Sequence, residues 1–167
     1  MTPGERDRSF EMEASRAESH TYRADLEWKG TNKDYNSFDR GLRVHFEGKH
    51  SIDMTAAPEY KGDPAKLNPE DLLVASLASC QMLTYLAIAS MSKVDVLEYR
   101  DEAVGKIEKG ADGKLRMTRV VLKPRIVLAP GANRDRAVGL VTKAHEQCYI
   151  ANSVNTEIVV EPQFEMR

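Results

Sequence analysis

Cysteine is nearly absent from this chain: 167 residues contain two, Cys80 and Cys148. So few exclude a disulfide scaffold. They leave either two unrelated residues or one functional pair in a reducing compartment. Charge of one sign is lacking as well. The chain carries 24 basic and 26 acidic residues, a formal net charge of −2 and a pI near 6.1. Its basic residues are scattered rather than blocked, so nothing points to nucleic acid as a partner. No C-x-x-C, no H-x-x-x-H, no internal repeat and no low-complexity segment occurs. The first residues lack the basic, apolar and small-residue succession of a signal peptide, and the default expectation is a cytoplasmic protein.

What is present is ordinary for a soluble protein: 41% hydrophobic and 30% charged residues. The length suits one domain with a real core. Residues 1–19 are polar, with Phe10 and Met12 as their large apolar side chains, and read as a mobile N-terminal extension. Residues 20–167 read as a single domain.

The chain is organised around Asn68–Ser92, where no charge occurs from Leu72 to Ser92. Asn68 is a good N-cap, Pro69 suits the first helical position, and Glu70 and Asp71 place negative charge at the favourable end of the dipole. Apolar residues then fall on almost every face, which predicts a buried helix. The 21 uncharged residues could span a bilayer by length. Seven Ser, Thr, Gln and Tyr residues interrupt them, which argues for a protein core and against a membrane span.

Strands are expected before this helix, on alternating patterns at Tyr22–Trp28, Leu42–Glu47 and His50–Thr55. Ser92–Glu98 reads as a connector. Tyr99–Lys109 and Lys114–Leu128 flank the turn residues Gly110-Ala111-Asp112-Gly113 and predict a hairpin. Pro124 predicts a bend or an edge in its second arm. Asn133 caps a second helix, Arg134 to about Gln147, whose stripe is Ala137, Leu140, Val141, Ala144 and Cys148. A last strand, Thr156–Glu161, is expected to end at Pro162. The order β-β-β-α-β-β-α-β is α+β with a largely antiparallel sheet.

Each cysteine lies on an apolar helix stripe, where a free thiol is most often a small buried hydrophobe. It becomes reactive when a cation or a hydrogen-bond donor stabilises its thiolate. A rival reading places His145, Cys148 and Cys80 together as nitrogen and sulfur ligands of zinc. The other histidines, His20, His45 and His50, read as solvated residues.

Asn68-Pro69-Glu70, Leu72-Leu73 and Ala78-Ser79-Cys80, followed by Ala144-His145-x-x-Cys148, resemble the OsmC/Ohr family of osmotically inducible and organic hydroperoxide resistance proteins. The Tyr22…Trp28-x-Gly30 opening is similar too, and the resemblance spans roughly residues 20–162. It implies a thiol peroxidase reducing organic hydroperoxides to alcohols, built as an intertwined homodimer with shared sites. By position Cys80 resembles the family's peroxidatic cysteine and Cys148 its resolving one. Glu70 stands where the family's glutamate holds a catalytic arginine. Arg40 is the most similar in placement to that arginine, with Arg43 and Arg23 as replacements. The resemblance implies no bound cofactor and an external dithiol or lipoyl-protein reductant. A non-catalytic stress or small-molecule-binding protein on the same fold is the alternative. The chain departs from the family in its N-terminal extension and in a longer loop before Asn68.

Overall fold

The computed structural model describes residues 19–167, so the expected N-terminal extension lies, residue 19 apart, outside the described residues. Three short strands come first: β1 (Asp25–Glu27), β2 (Leu42–His45) and β3 (Ile52–Met54). They form an antiparallel meander in the order β1-β2-β3, with Leu26 opposite Val44 and Val44 opposite Ile52. Val44 and Met54 are buried, while β1 is exposed along its length.

The loop from Thr55 to Leu67 is tied back to this sheet. Thr55 N–H donates to the Leu67 carbonyl at 2.9 Å, so the sheet edge ends next to the helix cap at Asn68. Within the loop, Gly62 passes so close to the preceding chain that an added Cβ would lie 1.6 Å from the Ala56 carbonyl oxygen. Only glycine permits that approach.

Helix α1 runs Pro69–Met91. Asn68 Oδ1 accepts from Asp71 N–H at 2.9 Å, and Asn68 N–H donates to the Asp71 carboxylate at 3.2 Å, closing a reciprocal capping box. The capping carboxylate is therefore Asp71, which leaves the neighbouring Glu70 side chain free of that task.

After α1 the chain forms β4 (Val96–Asp101), β5 (Val104–Lys109), β6 (Leu115–Leu122) and β7 (Pro124–Leu128). Then follow α2 (Arg134–Gln147), β8 (Glu157–Val160) and β9 (Gln163–Met166). β5 and β6 pair antiparallel, as do β4 and β7, so residues 96–128 make one long hairpin bent in the middle. Gly113, at φ 76°, takes the left-handed position in its turn. β8 and β9 add alongside in parallel, giving two three-stranded sheets, β5-β6-β8 and β4-β7-β9. The break falls at Glu102-Ala103, Lys123 and Glu161-Pro162. There Lys123 N–H donates at 2.7 Å to a side chain, Asp101 Oδ1 at the end of β4, instead of to a strand carbonyl.

The α+β class, the two helices and the antiparallel-dominated sheets are as the sequence predicts. The strand order is β-β-β-α-β-β-β-β-α-β-β rather than the eight-element order expected. The second arm divides just before Pro124, the last strand just before Pro162 and the first arm at Glu102-Ala103, so each becomes two elements. The supposed connector 92–98 already enters β4 at Val96, and the chain continues past Pro162 into β9.

The core has two parts. Tyr85, Ile88 and Ala89 of α1 pack with Val94, Ile126 and Leu128, and with Ala137, Leu140, Val141 and Ala144 of α2. Nearer the N-terminal half of α1, Leu77 packs on Val120 and Leu122 of β6, joined by Ile150, Ala151 and Val154. By length and composition α1 could cross a membrane, yet one side of it forms the protein core. The expectation of all-round burial fails on the other side: Ala75, Ser79, Leu83, Ala87 and Met91, four apart, are exposed. One chain supplies cover for only one face of this helix.

Candidate redox-active dithiol site

Two long-range hydrogen bonds fix the rotation of α1 against α2. Gln81 Nε2 donates to the Val141 carbonyl at 3.3 Å, and Tyr85 Oη donates to the Ala137 carbonyl at 3.2 Å. The donors are four apart on one helix and the acceptors four apart on the other, so the two bonds lie one turn from each other. Cys80, beside Gln81, is thereby set on the flank of α1 that meets the end of α2.

Cys148 is the C-cap of α2, where the chain leaves the helix at φ −72°, ψ 109°. It reverses through a short 3₁₀ turn, Ala151–Ser153, held by Asn152 N–H to the Cys148 carbonyl at 3.0 Å and Ser153 Oγ to the Tyr149 carbonyl at 2.7 Å. That reversal brings the two sulfurs together, both as free thiols. Cys148 is 1% exposed and Cys80 is partly exposed.

The environment separates the two thiols. Burial disfavours the Cys80 thiolate, but four donors outweigh it: the Cys148 thiol, the Ile150 N–H, the Thr84 hydroxyl and the Tyr149 N–H. The net effect holds Cys80 below the ordinary thiol range. Cys148 is pushed up to about 11, first by its burial and then by its bond to Cys80. Ala151 N–H donates to Cys148 Sγ at 3.5 Å. Of the two, Cys80 is therefore the thiol that ionises first, and Cys148 the one that keeps its proton longer.

The other two expected site residues are not brought to the sulfurs within one chain. Glu70 lies on the first turn of α1, partly buried, with Oε2 buried and without a hydrogen-bond partner among the described residues. Arg40 is engaged in its own loop. Its guanidinium donates to the Phe38 and Tyr35 carbonyls and lies over both rings, 3.8 Å and 5.1 Å from their centroids. Of its proposed replacements, Arg43 pairs bidentately with Asp53 across β2 and β3, and Arg23 is exposed beside β1. Among the described residues no arginine is one of the groups that act on Cys80.

A cavity of about 900 Å³ opens beside Glu70, lined also by Val74, Ala78, Asp101, Val104 and Met117. It reaches Ala78 but neither sulfur. The zinc reading of His145, Cys148 and Cys80 is not supported: among the described residues no three His, Cys, Asp or Glu side chains are grouped to hold a metal ion. The pair does meet, but His145 adds no third ligand.

Thr84 and the amides of Tyr149, Ile150 and Ala151 are parts of the site that the sequence reading passes over. Thr84 was legible, being four residues after Cys80 and so on its face of the helix. The amides were not, because backbone groups acquire a role only once the chain reverses at Cys148.

Comparison with known proteins agrees with this architecture. A family model described as OsmC-like protein matches residues 61–163. An OsmC-like protein of unknown function from Vibrio cholerae is 33% identical, with a TM-score of 0.81, covering 87% of this chain and all of that one. The organic hydroperoxide resistance protein OsmC of Legionella pneumophila shares the fold at 20% identity, with a TM-score of 0.63 over 87% of this chain and 97% of that one. The uncharacterized protein YmaD of Bacillus subtilis is 22% identical over 85% of this chain and 93% of its own length. With its capped central helix and a cysteine on each of two packed helices, the chain belongs to the OsmC-like protein family.

Proposed function

We propose that this protein is a thiol-dependent peroxidase that reduces organic hydroperoxides to alcohols. The observation that supports it is the polarised pair: a partly exposed Cys80 with donors around its sulfur, beside a buried Cys148 kept as a thiol. Relatives named as organic hydroperoxide resistance proteins share the fold. In the proposed reaction the Cys80 thiolate attacks one peroxide oxygen, the O–O bond breaks, and the leaving alkoxide takes a proton to become the alcohol. Cys80 is then a sulfenic acid. Cys148 sulfur attacks Cys80 sulfur, the S–O bond breaks, and water leaves with the Cys148 proton. An external dithiol, free or protein-bound lipoyl, restores both thiols by two exchange steps. That reductant meets Cys80 first, because Cys148 is closed to solvent.

Glu70 and Arg40 enter this proposal through a second copy of the chain. The ten residues between Glu70 and Cys80 on one helix correspond to ~15 Å along its axis. A homodimer packing α1 against its partner would bring Glu70 of one protomer toward Cys80 of the other. The unpartnered Glu70 oxygen could then receive a guanidinium, which would steady charge on the peroxide oxygen. A second reading, a non-catalytic small-molecule-binding protein, draws on the large cavity that touches neither thiol and on an Arg40 already satisfied by its own loop.

The deciding experiment is consumption of cumene hydroperoxide with dithiothreitol or dihydrolipoamide as reductant. Peroxidase action predicts turnover at a rate that far exceeds that of hydrogen peroxide, since the site is built between apolar helix faces. Absence of turnover with either dithiol would favour the binding reading.

A further inference from the structure

We propose that Gln81 and Tyr85 are positioning residues for the dithiol: they hold α1 and α2 at the one rotation and height at which Cys80 can close a disulfide with Cys148. Gln81 stands at a seam. On the buried face of α1, Leu77 packs into one half of the core and Tyr85 into the other, and Gln81 lies between them, 1% exposed. The seam runs past Cys148 as well, which follows Ala144 of one half and precedes Ile150 and Ala151 of the other. A buried polar side chain costs free energy unless it is hydrogen-bonded. Gln81 Nε2 donates to the Val141 carbonyl at 3.3 Å, while Oε1 is buried and has no partner among the described residues. One bond made and one acceptor left dry add little to stability, since an unsatisfied buried acceptor costs at least what a hydrogen bond contributes.

What the pair supplies is register. The apolar surfaces around it, Ile88 and Ala89 with Ala137, Leu140 and Ala144, attract without direction and fill space at more than one setting. Hydrogen bonds have direction. From the Gln81 bond to the Tyr85 bond the contact steps four residues forward along α1 and four back along α2, so a turn of one helix or a slide against the other breaks both. Burial pushes the Tyr85 phenol up to about 12, so it keeps its proton and remains a donor. Cys80 directly precedes Gln81, and Cys148 ends α2 two turns after Val141, with its N–H still bonded to the His145 carbonyl. Both cysteines therefore move with the bonded pairs. A disulfide needs Cα atoms within about 7 Å. A one-turn slide is ~5.4 Å and a one-residue rotation about 100°, and either would carry Cys80 away from that geometry. The inference rests on the proposed resolving step, in which these two sulfurs join, and goes beyond it by naming what holds them for it.

The test equilibrates the full chain with mixtures of reduced and oxidised glutathione, in which closing the disulfide releases two glutathione thiols for each oxidised glutathione consumed. Acid quenching, alkylation and mass spectrometry give the fraction closed, and from it the effective concentration of the dithiol. Gln81→Met combined with Tyr85→Phe keeps both shapes and removes both donors. This variant is expected to lower the effective concentration about tenfold, while the Tm of the reduced chain stays the same or rises. An unchanged glutathione equilibrium would overturn the proposal. So would a fall matched by a lower Tm of the reduced chain, which is what two merely stabilising bonds would give. Should the double variant not fold, Tyr85→Phe alone carries the same expectation at about threefold, with the same refutations. A wild-type chain that closes no disulfide at any glutathione ratio would overturn the proposal as well. A donor-dependent equilibrium in a chain that turns over no hydroperoxide would support the positioning role and overturn the peroxidase reading instead.

Discussion

At the scale of single residues the two thiols differ by burial and by which of them receives hydrogen bonds. This asymmetry assigns their order of action. On the proposed mechanism Cys80, partly exposed and the lower of the two thiols, would meet the oxidant, and Cys148, closed off and pushed up, would act on a neighbour already oxidised. Cys80→Ser is expected to abolish the first oxidation. Cys148→Ser is expected to permit one oxidation and then stall, with sulfenic acid trapped by dimedone and detected by mass spectrometry. Equal loss of that first step in both variants would contradict the assignment. The pH dependence separates the steps too. Because Cys80 lies below the ordinary thiol value, its oxidation rate should level off at a lower pH than that of an ordinary thiol. Because Cys148 is pushed up to about 11, disulfide closure should keep accelerating through pH 8–10. Stopped-flow traces at several pH values resolve the two phases. Part of the upward push on Cys148 comes from the Cys80 charge and vanishes once Cys80 is a sulfenic acid, but burial, the larger cause, remains.

At the scale of elements, the site depends on where α1 begins and how it is rotated. Asn68 and Asp71 fix the start through the capping box, next to the loop strapped to the first sheet at Thr55 and Leu67. Asn68→Ala should cost about 1 kcal/mol, within the usual range for a lost N-cap. In a chain of this length that corresponds to roughly 2–4 °C in Tm. Thermal unfolding followed by circular dichroism measures it, and an unchanged Tm would mean that the cap is redundant with tertiary packing. Both helices were legible in the sequence, to within a residue at each end, because their caps and periodicities are local signals. The meeting of Cys80 and Cys148 was expected from two lone cysteines on apolar helix faces and from the resemblance, but its geometry was not legible, because it depends on Gln81 and Tyr85 finding carbonyls 60 and 52 residues away. The division of the hairpin at Pro124 was half legible: proline announces an irregularity, while the Asp101 carboxylate that satisfies Lys123 N–H comes from another strand. Strand β9 was missed because Gln163–Met166 is too short to show alternation and owes its state to the parallel edge of β7.

At the scale of the whole molecule, one feature is incomplete in a single chain. The outer face of α1 presents Leu83 at 66% and Met91 at 77% exposure, in line with Ala75, Ser79 and Ala87. A contiguous apolar stripe on the central helix of a protein is a docking face, not a solvent face. In the proposed homodimer a second copy of the chain would cover it with the same surface on both sides, as a two-fold contact requires. The same contact would also account for the Glu70 oxygen that has no partner within the described residues. Leu83→Lys, which places a charge in the middle of the stripe, is therefore expected to convert a dimer to monomers in sedimentation velocity and to lower peroxide turnover with it. A wild-type chain that sediments as a fully active monomer would refute the arrangement. Mixing then asks whether the sites are shared. Glu70→Ala chains keep Cys80, and Cys80→Ser chains keep Glu70, so a heterodimer of the two holds one complete site if Glu70 acts across the interface. Two separately inactive variants should regain activity on co-refolding, up to one working site per heterodimer. If they do not, Glu70 serves the cysteine of its own chain or serves none, and the stripe on α1 joins two protomers without joining their chemistry.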